Sequence, residues 1–218
     1  MTRAQLARRA GWAALASAAL FTLLAVWVVR APDHLLPADA GLHHWSVEHR
    51  PPVAAAAARA LTATGTGVLP YALLLLAGLY AGRTARQRAW TAAALLVALG
   101  VGQALRYAVM ALVARPRPAV ADWAAHASGW SFPSGHTATA AMTAGLLAAA
   151  LFLRGPRRPR TALVLIGVWG AAVGLTRVYL GVHWFTDVIG GWLFATAWLS
   201  LLACAYLWRT REQRPAAV

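Results

Sequence analysis

Lysine is absent from this 218-residue chain, and all 20 of its basic residues are arginine. Acidic residues are scarce as well, six against those 20, which leaves a formal net charge of +14. Cysteine occurs once, at Cys204 inside an apolar run, which excludes an intramolecular disulfide framework and a cysteine-based zinc site. Charged residues make up only 12% of the chain and hydrophobic ones 60%, above the roughly 45–50% of soluble domains. A soluble globular protein is thereby excluded in favour of a membrane protein. So large an arginine excess can mark nucleic-acid binding, but most of these arginines fall in short clusters between apolar runs. The charge therefore reads as membrane topology, with no nucleic acid as partner.

Six runs free of charged residues and of histidine follow one another: 10–29, 60–82, 89–105, 137–153, 161–176 and 188–208. They predict an all-α polytopic protein, one bundle of six transmembrane helices in a single domain over 1–218. The third, fourth and fifth runs hold 17, 17 and 16 residues. At about 1.5 Å per residue they cover only about 24–26 Å of a roughly 30 Å hydrocarbon core. Ionisable groups must therefore intrude, and those that cut the runs short are Arg106, His136 and Arg177. Thirteen arginines, at 3, 8, 9, 83, 86, 88, 154, 157, 158, 160, 209, 211 and 214, fall on one face of the alternating layout. That face is expected to be cytoplasmic, with both termini on it, in the plasma membrane. Arg-Ala-Pro-Asp follows the first run where a signal peptide would carry a small-residue cleavage site, so this run reads as a retained anchor. The segments 31–52 and 114–133 are expected as outer loops and Arg154–Arg160 as an inner turn. The Ala-rich stretch 53–63 reads as either an interfacial helix or the start of span two.

Three clusters share the outer side: Arg115-Pro116-Arg117-Pro118, Pro133-Ser134-Gly135-His136, and Thr176-Arg177 followed by His183 and Asp187. Proline before Ser-Gly at a helix start leaves backbone N–H groups unpaired, and with the helix dipole they suit a phosphate. Ser134 adds a hydroxyl, Gly135 admits an anion close to the backbone, and His136 is a candidate proton donor. His183 and Asp187, four apart, share a face if the last helix begins near Trp184; the carboxylate would set the tautomer and raise the basicity of a nucleophilic histidine. Arg177 can offer a planar guanidinium to phosphate oxygens. Taken singly, the second cluster is also an ordinary helix cap and the third a self-satisfied ion pair. Together on one side they describe an anion pocket.

In this order the residues resemble the type 2 phosphatidic acid phosphatase superfamily of membrane lipid phosphatases. The resemblance covers 106–187 and the six-span layout. That family's pattern is a lysine, six residues and Arg-Pro; then Pro-Ser-Gly-His; then Ser-Arg, five residues, His, three residues and Asp. Here Thr176 stands for the serine, and with Arg117-Pro118 matched, Met110 stands for the lysine. Arg106, one turn deeper on the same helical face, is read as its substitute, the alternative being a pocket with one cation fewer. The resemblance implies a metal-independent enzyme without cofactor. His183 would attack phosphorus to form a phosphohistidine, Asp187 would orient it, and His136 would protonate the leaving oxygen. Arg117, Arg177, Arg106 and the N–H groups of Ser134 and Gly135 would bind the phosphoryl group.

The partners implied are membrane lipids and a lipid phosphate or pyrophosphate, such as undecaprenyl pyrophosphate, phosphatidylglycerol phosphate or phosphatidate; oligomeric state is left open. A lipid phosphotransferase with the same phosphohistidine is the nearest rival. A non-enzymatic transporter would need ionisable groups deeper in mid-span, and vanadate-dependent peroxidases, which share the pocket pattern, are soluble. Arg115 reads as a loop-orienting or headgroup residue. His34, His43, His44 and His49 fit no ligand spacing, and Asp33, Asp39 and Glu48 read as solvated. Asp122 and His126 read as an exposed pair, Trp45, Trp123, Trp130 and Trp184 as interfacial anchors, and Gly170 with Gly174 as a helix-packing pair.

Overall fold

Within hydrocarbon every backbone N–H and C=O must be satisfied inside its own segment, so each apolar run closes into a helix. The computed structural model describes residues 1–31, 35–155 and 160–212. Pro32, Asp33 and His34 of the first outer segment, Arg157 and Arg158 of the inner turn, and Arg214 lie outside the described residues. Among those described, the protein is all-helical: α1 (Arg3–Arg30), α2 (Pro37–Glu48), α3 (Pro52–Ala63), α4 (Val68–Ala81), α5 (Ala85–Val113), α6 (Gly135–Arg154), α7 (Arg160–Tyr179) and α8 (Phe185–Glu212).

Five of these, α1, α5, α6, α7 and α8, are long and apolar enough to cross a membrane, and α3 with α4 makes a sixth if the bent pair counts as one span. The helices outrun the short charge-free runs by taking the ionisable residues into themselves: α5 continues two turns past Arg106, and Arg177 lies inside α7. Two expectations change. The run 60–82 is not one helix: it breaks at Thr64-Gly65-Thr66-Gly67, where Gly67 takes φ +69°, and α3 and α4 meet at 49°. Nor is 31–52 simply a loop, since it contains α2, which starts at Pro37, where a proline's missing N–H costs nothing.

Helix α6 is the central element, packed by α4, α5, α7 and α8, while α1 lies along α8 and turns Leu15, Leu20, Leu23 and Trp27 outward. Small residues set the spacing inside. A Cβ on Gly174 would stand 2.9 Å from Thr137 of α6, and one on Gly170 3.1 Å from the Ala144 Cβ, so α7 rides close on α6 as the small-residue pair predicts. Arg3 donates to the Thr210 carbonyl (3.4 Å), and the Arg154 guanidinium lies over Tyr80 (5.2 Å). These contacts gather the start of α1 and the ends of α4, α6 and α8 at one pole. The end of α5, the start of α6 and the α7–α8 junction meet at the other.

Between α4 and α5 a Cβ on Gly78 would lie 2.3 Å from the Ala92 Cα, a backbone atom that cannot move aside. Gly78→Ala is therefore expected to destabilise the fold by about 1–3 kcal/mol, seen as a lower thermal midpoint in detergent. An unchanged midpoint would contradict so close an α4–α5 contact.

Candidate active site

Four chain segments converge at that second pole. The segment 114–134 leaves α5 through Ala114 in the left-handed region (φ 47°) and crosses a short 3-10 turn at Val120–Asp122. Phe132 anchors its end, stacking on Phe21 of α1 (5.5 Å) and filling the space left by Gly190 of α8. Ser134 then caps α6. Its hydroxyl accepts from Thr137 (2.9 Å) and caps no backbone N–H, while its own N–H donates to the Asp187 carbonyl (3.0 Å). The first intrahelical bond is Ala138 to Ser134, so the amides at the head of α6 are the uncapped donors expected of an anion-binding helix start.

His183 lies between α7 and α8, 1% exposed. Its Nδ1 faces Asp187 Oδ2 (3.2 Å) and the Ser131 hydroxyl (3.3 Å), and its Nε2 lies 2.8 Å from Arg117 Nη1. A guanidinium can only donate, so Nε2 carries the lone pair and Nδ1 the proton. Asp187 is fully buried. It accepts from Arg115 Nη1 (2.6 Å), from the Trp184 amide (2.9 Å) and from the Ser131 hydroxyl. Arg117 is held by the carbonyls of Ser128, Gly129, Trp130 and Val182 at 2.8–3.1 Å.

Arg106 comes to the head of α6. A Cβ on Gly135 would stand 3.3 Å from its Nη1, which also lies 3.2 Å from the Met110 sulfur, so the guanidinium reaches up to the level of residue 110. Arg177, 2% exposed, donates to Thr62 Oγ1 (3.2 Å), and the Nε groups of Arg106 and Arg177 are buried without a hydrogen-bond partner. Half-buried His136 lies within electrostatic reach of Arg177, His183, Arg117 and Arg106. The eight residues singled out from the sequence thus gather at one pole.

Other expectations need correction. Arg115 is not a headgroup residue: it is wholly buried, with Nη2 on Asp39 (2.7 Å) and Nη1 on Asp187 and Thr186. Asp39 is not solvated, having no exposed surface, and it accepts from the Thr186 amide (2.8 Å) and hydroxyl (2.7 Å). Asp122 pairs with His43 (3.0 Å) rather than with His126. The indoles of Trp184 and Trp123 donate to Pro116 and Pro118, bracing the loop, whereas Trp45 and Trp130 are exposed. His44 pairs with Glu48 and His49 stacks on Trp45. Among the described residues no three His, Cys, Asp or Glu side chains form a group that could hold a metal ion. Sequence reasoning missed Asp39, Ser131 and Thr186; the one local signal was Asp39 at the third position of a proline-started helix.

A polytopic helical protein with a cationic pocket at one pole and a His–Asp pair inside it is the class that fold and site define. The family model described as the PAP2 superfamily matches residues 89–211, and the chain belongs to that family. It is 33% identical over 131 residues to phosphatidylglycerophosphatase B of Bacillus subtilis, 59% of this chain and 64% of that protein. It is 42% identical over 82 residues to a lipid A 1-phosphatase of Rhizobium johnstonii, 38% of this chain and 30% of that one. The chain thus spans less than two thirds of either relative. The crystal structure of a transmembrane PAP2 type phosphatidylglycerolphosphate phosphatase from Bacillus subtilis matches with a TM-score of 0.80 at 25% identity, covering 94% of this chain and 100% of that one.

Burial pushes the His183 imidazole from its ordinary 6.5 to about 4; the Asp187 hydrogen bond opposes this shift and the Arg117 charge adds to it. Burial likewise lowers Arg117, with Asp187 pulling against it. Between pH 6.5 and about 4 the unfolded chain binds a proton at residue 183 that the folded chain refuses. This group's contribution to stability is therefore complete above pH 6.5 and declines as pH falls towards 4. The His183 resonance in a histidine-labelled sample is expected to titrate near pH 4, and lower still in Asp187→Asn. A midpoint near 6.5 would contradict this environment.

Proposed function

We propose that this chain is an integral membrane phosphatase that hydrolyses a lipid phosphate or diphosphate through a phosphohistidine on His183. The observation that carries the reading is the His183 ring itself. Its Nδ1–H faces a buried carboxylate and its Nε2 lone pair accepts from the Arg117 guanidinium, with the Arg177 charge also acting on the ring.

In the first step Nε2 attacks phosphorus and the bond from phosphorus to the lipid oxygen breaks, with His136 delivering the proton to that oxygen. In the second, His136 takes a proton from water, the hydroxide attacks phosphorus and the P–N bond breaks, releasing inorganic phosphate and neutral His183. The Arg117 N–H that rests on Nε2 turns to a phosphoryl oxygen, joined by Arg106, Arg177 and the amides at the head of α6. Charge supports this assignment. Among the described residues, Arg106, Arg115, Arg117 and Arg177 stand with the carboxylates of Asp39 and Asp187, a surplus of cations over anions that suits a phosphate. The similar proteins are named for lipid phosphates, and a pocket at one pole of a membrane bundle lets a lipid keep its tail in the bilayer. By the arginine count at the opposite pole, we place the termini in the cytoplasm and the pocket outside the plasma membrane, in one membrane domain over 1–218.

The test is phosphate release by purified protein from phosphatidylglycerol phosphate, phosphatidate and undecaprenyl diphosphate, with chelator present and no acceptor added. Wild type is expected to release phosphate and His183→Ala to release none while staying folded; full turnover by His183→Ala would refute the mechanism. Removing a cation that meets the transferring group typically costs about 100- to 1000-fold in kcat. Arg106→Ala is expected to lose activity on that scale and to regain part of it when Met110→Lys is added. No gain from that second substitution would mean that Arg106 does not take the place of the family's lysine.

A further inference from the structure

We propose that Asp39, on α2 and far from the three clusters in sequence, is a positioning residue for the phosphoryl-transfer site. Through Arg115 it sets the orientation and the available charge of Asp187. This rests on the phosphohistidine reading above.

Asp39 is the far end of a buried chain that runs Asp39, Arg115, Asp187, His183. Its Oδ2 accepts from Arg115 Nη2 (2.7 Å), Thr186 Oγ1 (2.7 Å) and the Leu36 amide (3.3 Å), and its Oδ1 accepts from the Thr186 amide (2.8 Å). Arg115 spends its two terminal nitrogens on different carboxylates, Nη2 on Asp39 and Nη1 on Asp187, a fork that only a planar guanidinium can span. Both carboxylates and the guanidinium have no exposed side-chain surface. One cation therefore serves two anions, and the surplus negative charge is shared between them.

That sharing matters at His183. An Asp187 neutralised by an arginine of its own would be a poor acceptor for Nδ1–H and would leave Nε2 a poor nucleophile. Asp39 draws off part of the Arg115 charge and so leaves Asp187 basic. The same contacts hold it in register: Thr186, immediately before Asp187, bonds to Asp39 through both its amide and its hydroxyl, and the hydroxyl also accepts from Arg115 (2.8 Å). A mere clamp for α2 explains the arrangement less well. Burying three charges is costly before their attraction is counted, and apolar replacements are often more stable. Helix α2 is also fastened through Ser46 to the Val178 carbonyl (3.2 Å).

The test uses full-length protein in detergent and whichever lipid phosphate wild type turns over fastest. Asp39→Asn keeps the shape of the side chain and removes the charge. Its kcat is expected to fall about 10- to 100-fold, the worth of a buried charged hydrogen bond, with KM within about twofold of wild type. Arg115→Lys keeps the charge but not the fork and is expected to lose a similar amount. The double variant is expected to be no worse than the poorer single one, since both break one chain. A wild-type kcat in Asp39→Asn, a change in KM alone, losses that multiply in the double variant, or a loss that only tracks the folded fraction overturns the proposal. Should Asp39→Asn fail to fold, Thr186→Val removes the hydroxyl donor from the same carboxylate, keeps the backbone amide and leaves α2 untouched, and a wild-type kcat there overturns it equally. His183→Ala separates the two levels. Turnover by that variant brings down the phosphohistidine reading and this proposal with it; an inactive His183→Ala beside a fully active Asp39→Asn overturns the positioning role alone.

Discussion

The buried carboxylate of Asp187 is the point on which this structure turns. A charge removed from water is tolerable only when its lone pairs are met by well-placed donors, and here the donors come from three places in the chain. Arg115 and Ser131 arrive from the segment between α5 and α6, His183 from the α7–α8 junction, and the Trp184 amide from the cap of α8. The backbone of the same residue takes the Ser134 amide. Satisfying one residue, through its carboxylate and its carbonyl, thus pins the loop, the head of α6 and the imidazole in mutual register.

The rest of the pocket has the opposite character. Arg106, Arg117 and Arg177 lie close enough to act on the same His136, and burial weakens the solvent that would separate their charges. The Nε groups of two of them have no hydrogen-bond partner. Inside a membrane bundle such groups are costly unless they have a task, and the oxyanion of the proposed substrate would cancel both charge and unmet donors. One half of the site is therefore closed on itself, while in the other half Arg106 and Arg177 keep an unpartnered Nε. This division is what the proposed phosphoryl transfer would require of its nucleophile and its anion hole.

Parts of this were legible in advance because their signals are local. Pro-Ser-Gly-His marks a helix start within four residues, and α6 begins at Gly135. His183 and Asp187 read as partners because four residues make one helical turn, and α8 does begin just after Trp184. Arg106 and Arg177 stood out because they cut apolar runs short. Asp39 was hidden because its partners lie 76 and 147 residues away, and its own neighbours, Asp33 and a row of histidines, resemble a solvated loop. Asp122 was paired with His126 on spacing, yet a 3-10 turn gives no four-residue face, and His43 of α2 meets it instead. The break at residues 64–67 sits within a continuous apolar run, and hydropathy does not register backbone direction.

The amino-acid sequence by itself determined the membrane class, the all-helical architecture and the order of the three polar clusters. These follow from hydropathy, turn chemistry and helical period, which act over a few residues. Tertiary structure alone decided which buried charges meet: that Arg115 faces inward to bridge Asp39 and Asp187, and that Arg106 rises to the level of Met110. Those pairings depend on which helix ends become neighbours, and a buried ion takes whatever counter-charge packing brings within reach, however distant in the chain.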